Sequence, residues 1–185
     1  MQSYNTYTSS KTPALLKKVS LAILPLIPVL LFVINDVSAL QPTKLTLSFD
    51  KTEYKKSEPV MMDIKLENTG DKPIYVNKRL LINSEERPAG SREISLSVTS
   101  PDGKKLPCKV SYETGFPKSD YFVSLKPQES VKLENKRDLR NYFDLTRPGE
   151  YKIIATYQNI YGDEIGIDAF KDKVASDPVT IKISE

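Results

Sequence analysis

The chain has 185 residues, 28% of them charged and 39% hydrophobic. That leaves room for one ordinary domain plus a short appendage, in a mixture that suits a folded body better than a disordered one. It has no histidine and one cysteine, Cys108. This excludes Ser-His-Asp and Cys-His nucleophile systems, His-ligated or Cys-rich zinc sites, iron–sulfur clusters and any internal disulfide.

The formal net charge is +3, but Lys11, Lys17 and Lys18 stand against Asp36 alone within the first 39 residues. Beyond them 24 basic residues meet 23 acidic ones, so the pI of 8.8 is mostly a property of the leader. No nucleic acid partner is implied, because that needs a concentrated basic face.

The leader reads as an export signal. A basic stretch ends at Lys17-Lys18, sixteen uncharged residues follow from Val19 to Ile34, and Val37-Ser38-Ala39 offers a cleavage site. At 1.5 Å rise per residue the apolar run reaches about 24 Å as a helix, short of the ~30 Å hydrocarbon core. Cleavage after Ala39 is therefore preferred over retention as a signal anchor, which stays open. Either way Lys17 and Lys18 face the cytoplasm and the body is exported to a secreted, periplasmic or cell-surface location. A membrane is touched only through 19–34, and only if that segment is retained. No cysteine ends the apolar run and no Asn-x-Ser/Thr sequon occurs, so neither lipidation there nor N-glycosylation is implied.

From residue 40 to 185 the texture is short alternating apolar runs broken by turn residues. Leu45, Leu47 and Phe49 alternate, as do Val60, Met62, Ile64 and Leu66, closed by Asn68-Thr69-Gly70-Asp71. Ile74–Val76 and Leu80–Ile82 are shorter candidates. Ile94, Leu96 and Val98 lead to a Ser100-Pro101-Asp102-Gly103 turn, with Leu106, Cys108, Val110 and Tyr112 expected as the returning strand of a hairpin. Phe122–Leu125 and Val131–Leu133 flank the turn at Lys126–Glu129. Tyr151, Ile153, Ala155 and Tyr157 share one face of a strand, and Val179, Ile181 and Ile183 form the last one. A helical turn is expected within Asn135–Leu145, and a long charged loop over Tyr161–Ser176 with a short helix at 168–174. The fold class this implies is all-β, an antiparallel sandwich of about seven to nine strands, with no βαβ rhythm. One domain over 40–185 is large enough to fold without disulfides.

Leu145-Thr146-Arg147-Pro148-Gly149-Glu150-Tyr151 is the most specific stretch. It resembles the tyrosine corner of immunoglobulin-like and fibronectin type III-like sandwiches. There an anchoring leucine (Leu145) and a Pro-Gly turn (Pro148, Gly149) precede a tyrosine (Tyr151) whose hydroxyl bonds back to the corner's backbone. With Tyr142-Phe143-Asp144-Leu145 it is also similar to the N-terminal β-domains of deuterolysin-like secreted metalloendopeptidases. The chain lacks their His-Glu-x-x-His motif, so their activity is not carried over. Glu67-Asn68-Thr69-Gly70-Asp71-Lys72-Pro73-Ile74 resembles, more faintly, bacterial proteinase inhibitors of the BsuPI type.

No catalytic residue and no cofactor site is assigned. Asp163, Glu164 and Asp168 are the only metal candidates; the Tyr161–Asp168 loop carries the oxygens a calcium site would use, without EF-hand spacing, and reads first as a solvated loop. The same acids are the candidates for glycosidase-type chemistry. Cys108 reads as a small apolar side chain rather than a nucleophile. Lys51, Lys55 and Lys56, and likewise Lys78, Arg79, Arg87 and Arg92, read as charged protection of sheet edges. Tyr112, Phe116 and Tyr161 mark the two loops best placed for contact. The chain is accordingly expected to be no enzyme but an extracytoplasmic module binding a protein or a cell-surface polymer. A proteinase inhibitor presenting Ser84–Gly90 or Ser111–Lys118 is the alternative, and a carboxylate-dependent carbohydrate-active enzyme a distant third.

Overall fold

The structure, a computed structural model, describes residues 42–185; the leader assigned to 1–39 lies outside them. Eleven strands form: β1 (Thr43–Phe49), β2 (Glu53–Lys55), β3 (Met61–Asn68), β4 (Ile74–Asn77), β5 (Ile94–Thr99), β6 (Phe122–Leu125), β7 (Ser130–Lys132), β8 (Arg137–Asp138), β9 (Gly149–Tyr157), β10 (Val174–Ala175) and β11 (Val179–Ser184). Short 3-10 turns are the only helical elements among the described residues.

Three ladders organise these strands. β3 pairs β1 on one edge and β7 then β8 along the other. β9 pairs β5 on one edge and β11 then β10 along the other, and β2 extends that sheet in parallel with β11. β4 and β6 form a separate antiparallel ribbon. The eleven segments thus fill nine strand positions, because β7/β8 and β10/β11 are interrupted strands.

Period-two burial places Leu45 and Leu47 of β1, Met62, Ile64 and Leu66 of β3, Tyr151, Ile153, Ala155 and Tyr157 of β9, and Ile181 and Ile183 of β11 in one core. The two larger sheets are the layers of a β-sandwich around it. Each fully buried aliphatic side chain contributes about 1.5–3 kcal/mol.

Three expectations differ from the structure. Leu106–Tyr112 is no strand: the partner of β5 is confined to a bridge between Thr99 and Lys105 and a bond from Leu106 N to Val98 O (2.8 Å). Pro107 lacks the N–H to continue the ladder, and at its other end β5 meets Ile82 and Asn83 instead. Leu80–Ile82 likewise forms only the Ile82–Ile94 bridge. No helix forms at 168–174, where Ala169 and Phe170 join Tyr75 of β4 through backbone contacts. The single helical turn expected within Asn135–Leu145 is present as a 3-10 turn at Leu139–Asn141, capped by the Asp138 carboxylate, with β8 before it.

Backbone polar groups at the corners are satisfied by long-range side chains. Tyr151 donates its hydroxyl to Arg147 O at 2.8 Å, across a turn in which Gly149 holds φ +129 against Pro101. Arg140 donates to the carbonyls of Glu58, Leu145 and Lys55. The buried Asn68 donates to Lys72 O and Leu125 O, both at 2.8 Å, and accepts from Gly70 N, so one amide ties the turn after β3 to the end of β6.

A buried carboxylate is the densest node. Glu93 is 2% exposed. Its Oε1 accepts from Asn77 Nδ2 (3.1 Å) and Arg79 Nη2 (2.5 Å); its Oε2 accepts from Arg79 Nε (3.0 Å) and Leu81 N (2.9 Å). Between Arg79 and Leu81, which both donate to it, Leu80 is held at φ +46 while its side chain enters the core. Arg79 also lies over the Tyr121 ring, and Asn77 N donates to the buried Tyr157 hydroxyl. Arg79 is therefore an interior ion-pair partner, not part of an edge-protecting cluster. Glu93→Ala is expected to cost about 3–5 kcal/mol, because it leaves Arg79 unpaired, and a joint Glu93→Leu, Arg79→Met exchange considerably less; urea denaturation of the single and double variants measures both.

Burial raises the pKa of Tyr157, and burial with the Asp50 hydrogen bond raises that of Tyr54. The unfolded chain thus loses these protons at lower pH than the folded one, so the stabilisation is complete below about pH 10 and is lost as pH rises above it. Stability is expected to fall above that point, with a shallower slope in Tyr157→Phe and Tyr54→Phe, as followed by denaturation across alkaline pH.

Candidate functional site

The two loops marked by Tyr112, Phe116 and Tyr161 meet. The first leaves the side of β5 and is held at Tyr112, whose hydroxyl donates to Ile82 O at 2.6 Å and whose carbonyl accepts from Asn83 Nδ2 at 2.8 Å. Asn83 is itself buried; its amide nitrogen also donates to Ser91 O and its amide oxygen accepts from Ser84 N. Tyr112 therefore docks the loop through both its hydroxyl and its backbone, and burial raises its pKa. Beyond it the Arg87 guanidinium donates to Ser111 Oγ (2.8 Å) and pairs with Glu113. The chain then runs without regular secondary structure to the exposed Phe116, while Pro117 is buried.

The second loop follows β9. The buried Asn159 donates to Tyr161 O (2.7 Å) and Phe170 O (3.4 Å), closing the loop at its base. Gly162, at φ +147, and a 3-10 turn at Asp163–Ile165 form its tip. Tyr161 lies directly over Gly90, where a Cβ would overlap its hydroxyl. The Phe116 and Tyr161 rings meet edge to face with centroids 5.4 Å apart. With Pro117, Glu164 and Ile165 they line an open, largely apolar recess of about 350 Å³. Phe116 is 76% exposed and Ile165 39%. Tyr112 stands apart from this recess.

The three candidate metal ligands are not brought together. Asp163 pairs with Lys171 at 2.5 Å, Glu164 accepts from Gly162 N at 3.1 Å, and Asp168 is exposed. Among the described residues no group of three or more His, Cys, Asp or Glu side chains could hold a metal ion. Cys108 is half-buried beside Leu96, Leu106 and Phe143, and burial raises its thiol pKa, away from the thiolate a nucleophile needs. In the Ser84–Gly90 segment Glu85, Glu86 and Pro88 are exposed between buried ends. Ser84 and Gly90 are buried, and a turn closes with Arg87 N donating to Ser84 O.

No family model matches the chain, and no curated protein matches it. Solved structures similar to it include a fragment of native alpha-2-macroglobulin from Escherichia coli spanning domain MG7 to the C-terminus, at 15% identity and a TM-score of 0.40. Two structures of a β-glucosidase from Listeria innocua, a mutant with laminaribiose and one with isofagomine, give 11% and 10% identity with TM-scores of 0.33 and 0.32. Each match covers 77% of this chain but 16% of the other, so no activity is carried across. Nothing among these similarities links the chain to secreted metalloendopeptidases.

Sequence pattern marked both loops but not what positions them. Asn83, Asn159 and Gly90 are buried supports separated in sequence from the rings they hold, and only the buried polar character of an Asn at a strand end signals such a role. Gly90→Ala is expected to push the Tyr161 ring out of its edge-to-face contact. A change in the Phe116 and Tyr161 ring proton shifts by NMR, with backbone shifts in β1 and β3 unmoved, is the measurement.

Proposed function

We propose that this chain is an exported immunoglobulin-like sandwich that works as a non-catalytic binding module, docking a protein partner on the Phe116–Tyr161 recess. Export is inferred from the basic-then-apolar leader ending at Ala39. The immunoglobulin-like reading is supported by strand order. β1-β3-β7 corresponds to the A-B-E side and β11-β9-β5 to the G-F-C side of such domains, and Tyr151 opens the strand that stands for F. The non-catalytic reading is supported by the absence of histidine and by the engagement of Asp163 and Glu164 in local bonds.

The observation that carries the function is the exposure of Phe116 on a firmly built support. A phenylalanine left 76% in water costs solubility and is characteristic of a contact surface when its surroundings are ordered. Glu164 at the recess and the solvent-directed Glu113 on the same loop favour a partner segment with an apolar side chain flanked by lysine or arginine. An inhibitory loop is a second reading, favoured by the mostly exposed, irregular run at 111–116; titration against secreted proteases tests it.

Phe116→Ala is expected to remove about 2 kcal/mol or more of partner affinity, as at a central contact residue, while shifting stability by less than about 0.5 kcal/mol. Crosslinking and affinity capture from the extracytoplasmic fraction, followed by titration of the recovered partner, gives the comparison. Undiminished affinity for the variant would reject the recess as the docking site.

A further inference from the structure

A second recess lies on the solvent face of the β5–β9 pair. Alternation turns Leu96 and Val98 inward, so Ser95 and Thr156, which are direct cross-strand partners, project outward side by side. An outward serine is ordinarily exposed, yet Ser95 is 93% covered (7% exposed). With Ser95 and Thr156, the residues Glu85, Arg92, Glu93, Lys105, Gln158 and Lys173 line a groove over it. The resulting groove holds about 380 Å³ and is lined almost wholly by polar atoms.

Its charge is unbalanced. Lys105 is paired with Glu85. Glu93, though it lines the groove, turns its carboxylate to Arg79 in the interior. Among the described residues Arg92 donates to the carbonyl of Arg87 and makes no ion pair; burial pushes its pKa down, partly offset by the nearby charge of Glu85, which also lines the groove. Lys173 has no partner among the described residues, nor do the side chains of Thr156 and Gln158. Two cations that form no ion pair among the described residues therefore stand beside a floor of free hydroxyl and amide groups. That combination recognises a ligand carrying both anionic oxygens and hydroxyls.

We propose that this groove binds an acidic saccharide, with Arg92 and Lys173 taking its carboxylate and Thr156 and Gln158 its ring hydroxyls. The assignment stands on the sheet face alone. It shares no ligand-contacting residue with the Phe116–Tyr161 recess, and either can fail without the other.

The test titrates oligogalacturonate, a neutral cello-oligosaccharide of equal length and inorganic phosphate into the full chain by calorimetry. Oligogalacturonate is expected to bind, more weakly as salt is raised. Lys173→Ala and Thr156→Val should each lower affinity about tenfold, as loss of one hydrogen bond to a charged or hydroxyl group implies. Lys132→Ala, on the other sheet, should leave it unchanged. Circular dichroism and thermal unfolding confirm that the variants are folded. Absence of oligogalacturonate binding, or equal loss in Lys132→Ala, would overturn the proposal. So would phosphate binding as tightly as oligogalacturonate without need of Thr156, since the site would then recognise charge alone.

Discussion

The Glu93 carboxylate is the constraint around which this end of the sandwich is arranged. Taking a carboxylate out of water is costly unless every lone pair is answered, and here four donors from Asn77, Arg79 and Leu81 do so. The same residue's backbone N–H donates to Leu81 O and its carbonyl accepts from Gln158 N, so β9 is tied in as well. A buried ion pair is weak evidence for net stability, since apolar residues of similar volume often do as well. What the pair supplies is position. It fixes the path of residues 77–83, including the left-handed Leu80, and so places Asn83, which in turn holds Tyr112 and the loop beyond it.

Other tie points follow the same physical rule. Asn68 and Arg140 each direct their side-chain donors at backbone carbonyls, and the Asn68 amide oxygen accepts from Gly70 N. Tyr151 does so at the corner. With a single cysteine the fold has no disulfide to staple its sheets, and these long-range bonds, together with the shared apolar core, fix the corners.

The strands were legible from sequence wherever one face is buried and the other solvated. β1, β3, β5 and β9 follow the alternation of Leu45/Leu47, Met62/Ile64/Leu66, Leu96/Val98 and Tyr151–Tyr157 directly. Leu106–Tyr112 shows the same alternation but not the strand. Period-two spacing reports which side chains face inward, and an extended segment anchored by side-chain bonds satisfies that pattern without a ladder. The pairing of Phe116 with Tyr161 lay beyond reach for a different reason. The rings are 45 residues apart and are brought together through Asn83, Gly90 and Asn159. Glu93 was hidden because a buried carboxylate looks, in sequence, like a surface one. Arg79 was misplaced for the same reason, grouped with Arg87 and Arg92 by proximity along the chain though its partner lies inside.

The segment from Ser84 to Glu93 links the two recesses. Gly90 lies beneath Tyr161, and a bond from Thr114 Oγ1 to Gly90 O joins it to the Phe116 loop. From the same ten residues Glu85 and Arg92 line the polar groove on the sheet face. Its ends are tied by the hydrogen bonds of Asn83 on one side and of Glu93 on the other. Surfaces supported in this way are ordered before a ligand arrives. The entropy of holding Phe116, Tyr161 and Arg92 in place is then met during folding.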